Sequence, residues 1–349
     1  MAKKTNANDT KFNYKAEVKA LKDYGPERLY FLWGPEDYLR EQFAAEIRKI
    51  CIPEGEESFS YKLIDGASLD FLDFRDAVDA LPFMTDRSLV EVRDAKLNQL
   101  AESDKYIQLF SDIPDYCTVI FVQSAQYEPD NRLKIIKALK EKGKELHFTK
   151  QSQGALVDWI IRRFAACGKA VELEAAQRLM FISGELMSGL IPEIEKVAAY
   201  AKGEKVTVSD VEAVANRIPE AIIFDMTDYI SQKKYNSAMA VLSELLSDKK
   251  QEIIPMLGML GRQMRQLYVA KLSIEKGLDI KYVMDACSMR NEYPAVKLIS
   301  AARGFSLKQL KRAVEICAET DHLLKSSGIN DRELMKDAVL RIAAGEESA

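Results

Sequence analysis

Between residues 29 and 148 the chain switches repeatedly between two hydrophobic periods, and few folds accommodate that switching. Leu29-Tyr-Phe-Leu-Trp33 is a short apolar run, the pattern of a strand buried on both faces. Residues 36–50 then take helical spacing, with Leu39, Phe43, Ile47 and Ile50 on one stripe. Residues 59–64, 88–92, 117–122 and 145–148 predict four more strands; the fourth strand of the five, Cys117-Thr-Val-Ile-Phe-Val122, is rich in β-branched residues. Residues 69–80, 103–111 and 130–142 predict helices between them. Short strands alternating with helices predict a parallel sheet covered on both faces. The pattern does not encode strand order.

After residue 150 the strand signals stop. Residues 153–215 read as short helices broken at Gly168, Gly184 and Gly203, and Ser209-Asp-Val-Glu212 has the form of a capping box. Arg217-Ile-Pro219 reads as a boundary, because a helix usually stops before proline. Residues 221–345 are helical again. Ser306-Leu-Lys-Gln309 is a second capping-box pattern, opening a helix to about Leu324 on a stripe of Leu307, Leu310, Val314, Cys317 and Leu324. Gly328 is expected to end that helix, and Asn330 or Asp331 to cap the last one. The 349 residues exceed what one core usually serves. The expected division is a polar, disordered tail over 1–14, an α/β domain over 15–150, and two helical domains over 151–217 and 218–349. The fold class is α/β plus all-α.

Several functions are excluded. Cys51, Cys117, Cys167, Cys287 and Cys317 are odd in number and form no CxxC, which fits reduced thiols in a cytoplasm. The two histidines, His147 and His322, have no second ligand at metal spacing, so no metal site is expected. A net charge of −4 does not suit an autonomous DNA binder. No apolar run reaches the ~18 residues of a membrane helix, and the polar start carries no signal-peptide core.

A glycine after the first strand invites a phosphate-loop reading. The pattern GxxxxGK[ST] needs a second glycine for the wrap, a lysine for the phosphates and a hydroxyl for magnesium. Laid on Gly34, those three positions fall on Leu39, Arg40 and Glu41. Glu41 would set negative charge beside the phosphates. The fourth strand runs into neutral Gln123-Ser124, where an acid would be needed to hold magnesium. No intrinsic catalysis and no bound ATP are therefore expected, and no catalytic residue is assigned. Gly34-Pro35-Glu36-Asp37 reads instead as a strand-to-helix turn with acids complementing the helix dipole.

The same segment carries a family resemblance. Leu29-Tyr-Phe-Leu-Trp-Gly-Pro-Glu-Asp-Tyr-Leu39 resembles the opening strand and degenerate phosphate loop of the DNA polymerase III delta family. Ala80-Leu-Pro-Phe-Met-Thr-Asp-Arg-Ser-Leu-Val90, Pro192-Glu-Ile-Glu-Lys-Val197 and Phe224-Asp-Met-Thr-Asp228 resemble later signatures of that family. Gly261-Arg-Gln-Met-Arg-Gln-Leu-Tyr268 and Asp321-His-Leu-Leu-Lys325 resemble its C-terminal ones. The six segments follow the family's order across residues 28–343. The resemblance implies an AAA+-like α/β domain, a small helical lid and a helical collar that holds a heteropentamer. It also implies a non-catalytic subunit that opens the beta sliding clamp for loading on primed DNA. The tau/gamma ATPase subunits and delta-prime would be its neighbours, and partner subunits would bind the ATP. Its place would be the cytoplasmic replisome at the nucleoid.

By the resemblance, the clamp-binding tip maps to Leu81, Pro82, Phe83 and Met84, with Phe83 on the family's aromatic and Pro82 where some members carry leucine. An aromatic anchor among apolar neighbours suits a desolvated hot spot, and proline lowers the cost of ordering. The alternative is that Leu81 and Phe83 cover the edge of the α/β core. Arg132, Lys134, Lys137 and Lys140, with Lys142 and Lys144, crowd one helix and its exit, and are either DNA-phosphate contacts or a solvated face. Arg262 and Arg265 fall in the collar. Asp321 on an apolar stripe predicts a buried structural pair with Lys325. Competing readings are a delta-prime-like subunit, which usually carries a zinc-binding cysteine cluster and a Ser-Arg-Cys motif that this chain lacks, an independent P-loop ATPase, or a helical scaffold.

Overall fold

The computed structural model describes residues 13–53, 60–83, 85–247, 252–289 and 292–345. The chain divides into two compact units, residues 1–151 with Leu186–Ser188, and residues 152–185 with 189–349.

The first unit is built on five parallel strands: β1 (Leu29–Trp33), β2 (Tyr61–Asp65), β3 (Ser88–Arg93), β4 (Cys117–Val122) and β5 (Lys144–His147). Their order across the sheet is β2-β3-β4-β1-β5, and every pairing is parallel. The three inner strands are buried almost throughout, whereas β2 at one edge is largely exposed. This explains the sequence pattern: strands buried on both faces read as continuous apolar runs. On one face Phe74, Tyr106, Phe110 and Phe121 form an aromatic cluster. On the other, Phe43 packs edge-on against Tyr30 and tilted against Phe148. The unit is the parallel α/β sheet covered on both faces that the sequence pattern predicts.

Several boundaries differ from the sequence expectation. Tyr14–Tyr24 is a helix (α1) capped by Asn13, so the tail reading fails at residues 13 and 14; residues 1–12 lie outside the described residues. The charged helix starts at Lys134 rather than residue 130. Asp130 accepts a hydrogen bond from the Arg132 N–H, a local turn that competes with helix.

The second unit is helical, from Gln153–Ala166 to Asp331–Ala344, with one pair of two-residue strands, Ala170–Val171 beside Lys205–Val206. That pair sets the next helix start. Thr207 and Asp210 form the capping box, not Ser209 and Glu212, because the strand ends at Val206. Ser306 and Gln309 do form theirs, and Asn330 caps the last helix. The helix opened by Ser306 runs to Ser326 with Ser327 at its C-cap, which puts Gly328 at the position just after the cap, where a terminating glycine is expected. Leu310, Ala313, Ile316, Cys317 and Thr320 are its buried side chains. Asp321 therefore sits beside the stripe rather than on it, and its 2.7 Å pair with Lys325 is exposed, not buried. The main core of this unit gathers the helices Pro219–Ser231, Ile253–Lys276 and Leu307–Ser326 around Met226, Leu260, Met264 and Leu310.

Candidate functional site

Two features of the first unit bear on function. One is the turn after β1. Gly34 has φ +120°, and a Cβ there would lie 2.6 Å from the Phe148 carbonyl oxygen. The glycine is demanded by this close approach of two chain segments. The Phe148 N–H donates to the Trp33 carbonyl at 2.8 Å, and the Glu36 N–H to the Phe148 carbonyl at 3.0 Å. Arg40 is buried, and its Nη1 donates to the Gly34 carbonyl at 2.5 Å. In a working phosphate loop, backbone N–H groups face the ligand; here the cationic side chain is turned onto the loop's own carbonyl.

Glu36 departs most from its sequence reading. Its side chain makes no cap hydrogen bond to the helix Asp37–Cys51. It is fully buried, and Oε1 accepts from the N–H of Met187, one of the three residues 186–188 that belong to this unit. Asp37 Oδ1 accepts from the Ser188 hydroxyl at 2.7 Å. Oε2 of Glu36 has no hydrogen-bond partner among the described residues. Burial pushes the Glu36 carboxyl up to about 7, although the Met187 bond pulls it down.

This shift sets a pH dependence. Unfolded, Glu36 gives up its proton near 4.5, whereas folded it keeps the proton to about 7. Its contribution to stability is full below about pH 4.5 and is lost as pH rises through 7. Glu36→Gln is expected to stabilise the protein at pH 8 by on the order of 2 kcal/mol and to change little at pH 4.5. Urea unfolding at the two pH values checks this; an equal effect at both would show that the carboxyl is not held protonated.

Glu41 points elsewhere. Arg93 binds it through both Nη atoms, at 3.1 and 2.8 Å, and binds fully buried Glu91 through Nε at 2.6 Å. Arg48 and the Tyr61 hydroxyl donate to the other oxygen of Glu91 at 2.7 and 2.9 Å. Burial works against the Arg93 charge, but the bonds to Glu41 and Glu91 outweigh it and hold the guanidinium above its usual range. Gln123, after β4, is buried and donates to the Ala95 carbonyl. Asp94, after β3, was missed in the sequence; it has a left-handed φ of 54° and lies near enough to support the Arg40 charge.

The second feature is the turn between the helix Phe71–Asp79 and β3. Leu81 is 75% exposed and Phe83 57% exposed. Pro82 is half-buried, and Met84 lies outside the described residues. The tip's backbone is pinned: Ser60 Oγ accepts from the Phe83 N–H and donates to the Phe83 carbonyl, both at 3.2 Å. Thr85 Oγ1 donates to Ser60 Oγ at 2.6 Å. Leu81 and Phe83 thus do not close the core, as the alternative reading would have it.

The basic run is largely occupied by its own chain. Arg132 pairs with Asp130, and Lys140 with Glu145 at 2.8 Å while lying over the Trp33 ring. Lys142 donates to the Ile107 carbonyl, and Lys144 pairs with Glu17. Lys134 lies 4.0 Å from Asp104, and it and Lys137 are exposed. Arg262 and Arg265 are exposed on the helix Ile253–Lys276. No cluster of three metal-ligating side chains occurs among the described residues, and no helix among them is long and apolar enough to cross a membrane.

A five-stranded parallel α/β unit whose turn after β1 is closed by Arg40 and Phe148, and whose apolar turn before β3 is exposed, defines the class of the first unit. The particular family follows from comparison with known proteins. The family model described as DNA polymerase III, delta subunit, matches residues 30–149, and that for the C-terminal domain of the same subunit matches residues 220–342. The two take in more than half of the chain, which belongs to the DNA polymerase III delta subunit family. The Bacillus subtilis DNA polymerase III subunit delta is 26% identical over 92% of this chain and 94% of its own length. The probable DNA polymerase III subunit delta of Aquifex aeolicus is 22% identical over 89% and 90%. The solved Bacillus subtilis DNA clamp loader delta protein shares the fold, with a TM-score of 0.53, 21% identity, and coverage of 95% of this chain and 100% of that one.

Proposed function

We propose that this chain works as the non-catalytic delta subunit of a clamp loader, binding the beta sliding clamp through Leu81, Pro82, Phe83 and Met84 and favouring its open form. The outward-held tip carries this reading. A rigid apolar wedge opens a ring without chemistry if it binds the open or strained interface better than the closed one. Preorganisation by Ser60 lowers the entropy lost on docking. ATP would be bound by tau/gamma neighbours in a heteropentamer with delta-prime, the second unit supplying the lid and collar. The setting is the cytoplasmic replisome.

The experiment is a titration of the purified chain with the sliding clamp of its own organism, followed by light scattering of the mixture. A saturable complex without nucleotide supports the proposal; no complex overturns it. The turned-in Arg40 and the buried Glu36 support a further expectation, that the isolated chain shows no saturable binding of labelled ATP with magnesium. Saturable binding would favour the P-loop ATPase reading. Direct contact with primed DNA falls to exposed Lys137 and to Lys134, whose acidic partner Asp104 is 4.0 Å away, with Arg132 and Lys140 held more closely by theirs. Replacing both by Gln would lower the salt slope of DNA binding by the assembled loader by about 2 if each meets a phosphate.

A further inference from the structure

We propose that the free edge of β2 takes up an extended segment of a protein partner, one that alternates basic and apolar side chains. Strand β2 ends the sheet, and among the described residues no strand pairs with its outer side. An edge strand presents unpaired N–H and C=O groups that template another strand. Natural edges are usually blunted by charge or cover. Here the middle residue, Leu63, is 53% exposed, and an open groove of about 610 Å³ runs along the strand.

The two faces of the edge differ in chemistry, and that difference identifies the occupant. Tyr61 bonds to Glu91 on the face that also holds Arg48. Leu63 is two residues on and shares that face. Lys62 and Ile64 take the opposite face, where Ile64 packs against the core beneath the helix Phe71–Asp79. That helix turns Asp73, Asp76 and Ala77 to the groove. With Asp65 and Asp70, the lining holds four carboxylates against one ammonium, that of Lys62. Asp70 caps the helix and Asp76 pairs with its neighbour Arg75, whereas Asp73 forms no ion pair among the described residues.

A strand added to this edge would point alternate side chains to the two faces. On one side they meet Leu63, and on the other Asp73 and Asp76. Backbone hydrogen bonds would supply affinity and this alternation the selectivity. Leu81 of the proposed clamp-binding tip also lines the groove, but the inference rests on the backbone edge of β2 and on Asp73 and Asp76, none of which the clamp reading uses.

The test uses the full chain and a fluorescein-labelled hexapeptide, Lys-Val-Lys-Val-Lys-Val, followed by anisotropy. Two control peptides are a block isomer, Lys-Lys-Lys-Val-Val-Val, and the alternating peptide with every backbone nitrogen methylated, so that whichever edge of the peptide meets β2 is blocked. The expected result is saturable binding at least tenfold tighter than either control. Asp73→Asn with Asp76→Asn, both exposed positions, should weaken it at least fivefold, and amide exchange should slow at residues 61–65. Equal binding of the block isomer would reduce the effect to bulk charge, and equal binding of the methylated peptide would exclude strand addition. A dimer of the chain broken by Leu63→Lys would assign the edge to self-association. Any of these three results overturns the proposal.

Discussion

Phe83→Ala is expected to weaken binding to the sliding clamp by about 2 kcal/mol or more, roughly thirtyfold, while leaving the unfolding midpoint nearly unchanged. The two halves of this expectation have separate causes. Clamp affinity should fall because an aromatic ring inserted in a pocket buries more apolar surface than its neighbours and concentrates the energy of an interface. Stability should hold because more than half of the Phe83 surface is already exposed, and because Ser60 grips the backbone rather than the ring. Ser60→Ala separates anchor from scaffold. It keeps the ring but frees the turn, so the partner should bind more weakly through the entropy of ordering. Titration of each variant with clamp, beside urea unfolding, reads both halves. Unchanged affinity in Phe83→Ala would take the anchor away from this residue, and a large loss of stability would return it to the core.

The parallel sheet was legible because strands buried on both faces must be apolar throughout, and Leu29-Tyr-Phe-Leu-Trp33 and Cys117-Thr-Val-Ile-Phe-Val122 are. Strand order was not, since hydrophobic period reports burial and says nothing about neighbours. The helix Tyr14–Tyr24 escaped because it buries little, Leu21 being its one fully buried residue. Local patterns misled wherever distant residues intervened. The six basic residues around one helix read equally as a phosphate-binding or a solvated face, and spacing could not show that Lys134, Lys142 and Lys144 find partners in Asp104, the Ile107 carbonyl and Glu17. The departure from the phosphate-loop pattern was legible at Leu39, Arg40 and Glu41. That Glu36 turns away from its own helix to Met187 was not, because this depends on a contact across 151 positions.

The charge network on the face of the sheet that carries the helix Asp37–Cys51 should have the largest stability effect, and it tests whether this surface is held by ions or by packing. Glu91 is fully buried in β3, and Arg48, Arg93 and Tyr61 satisfy its carboxylate. A buried charge stripped of its partners costs more than the intact pair contributes. Arg48→Met with Arg93→Met leaves Glu91 with the Tyr61 hydroxyl alone, and should destabilise the protein by about 3–5 kcal/mol. Adding Glu91→Met removes the stranded charge and should recover most of that loss, since apolar residues of similar volume often replace buried ion pairs without penalty. Arg93 also ties Glu41, so part of the loss should remain in the triple variant. Urea unfolding of the double and triple variants decides the matter. Equal destabilisation in both would show that the arginines act through their packed stems, as the stacking of Arg48 over the Tyr61 ring at 5.1 Å allows. Recovery would instead identify the network as a polar device that fixes the helix Asp37–Cys51 on the sheet.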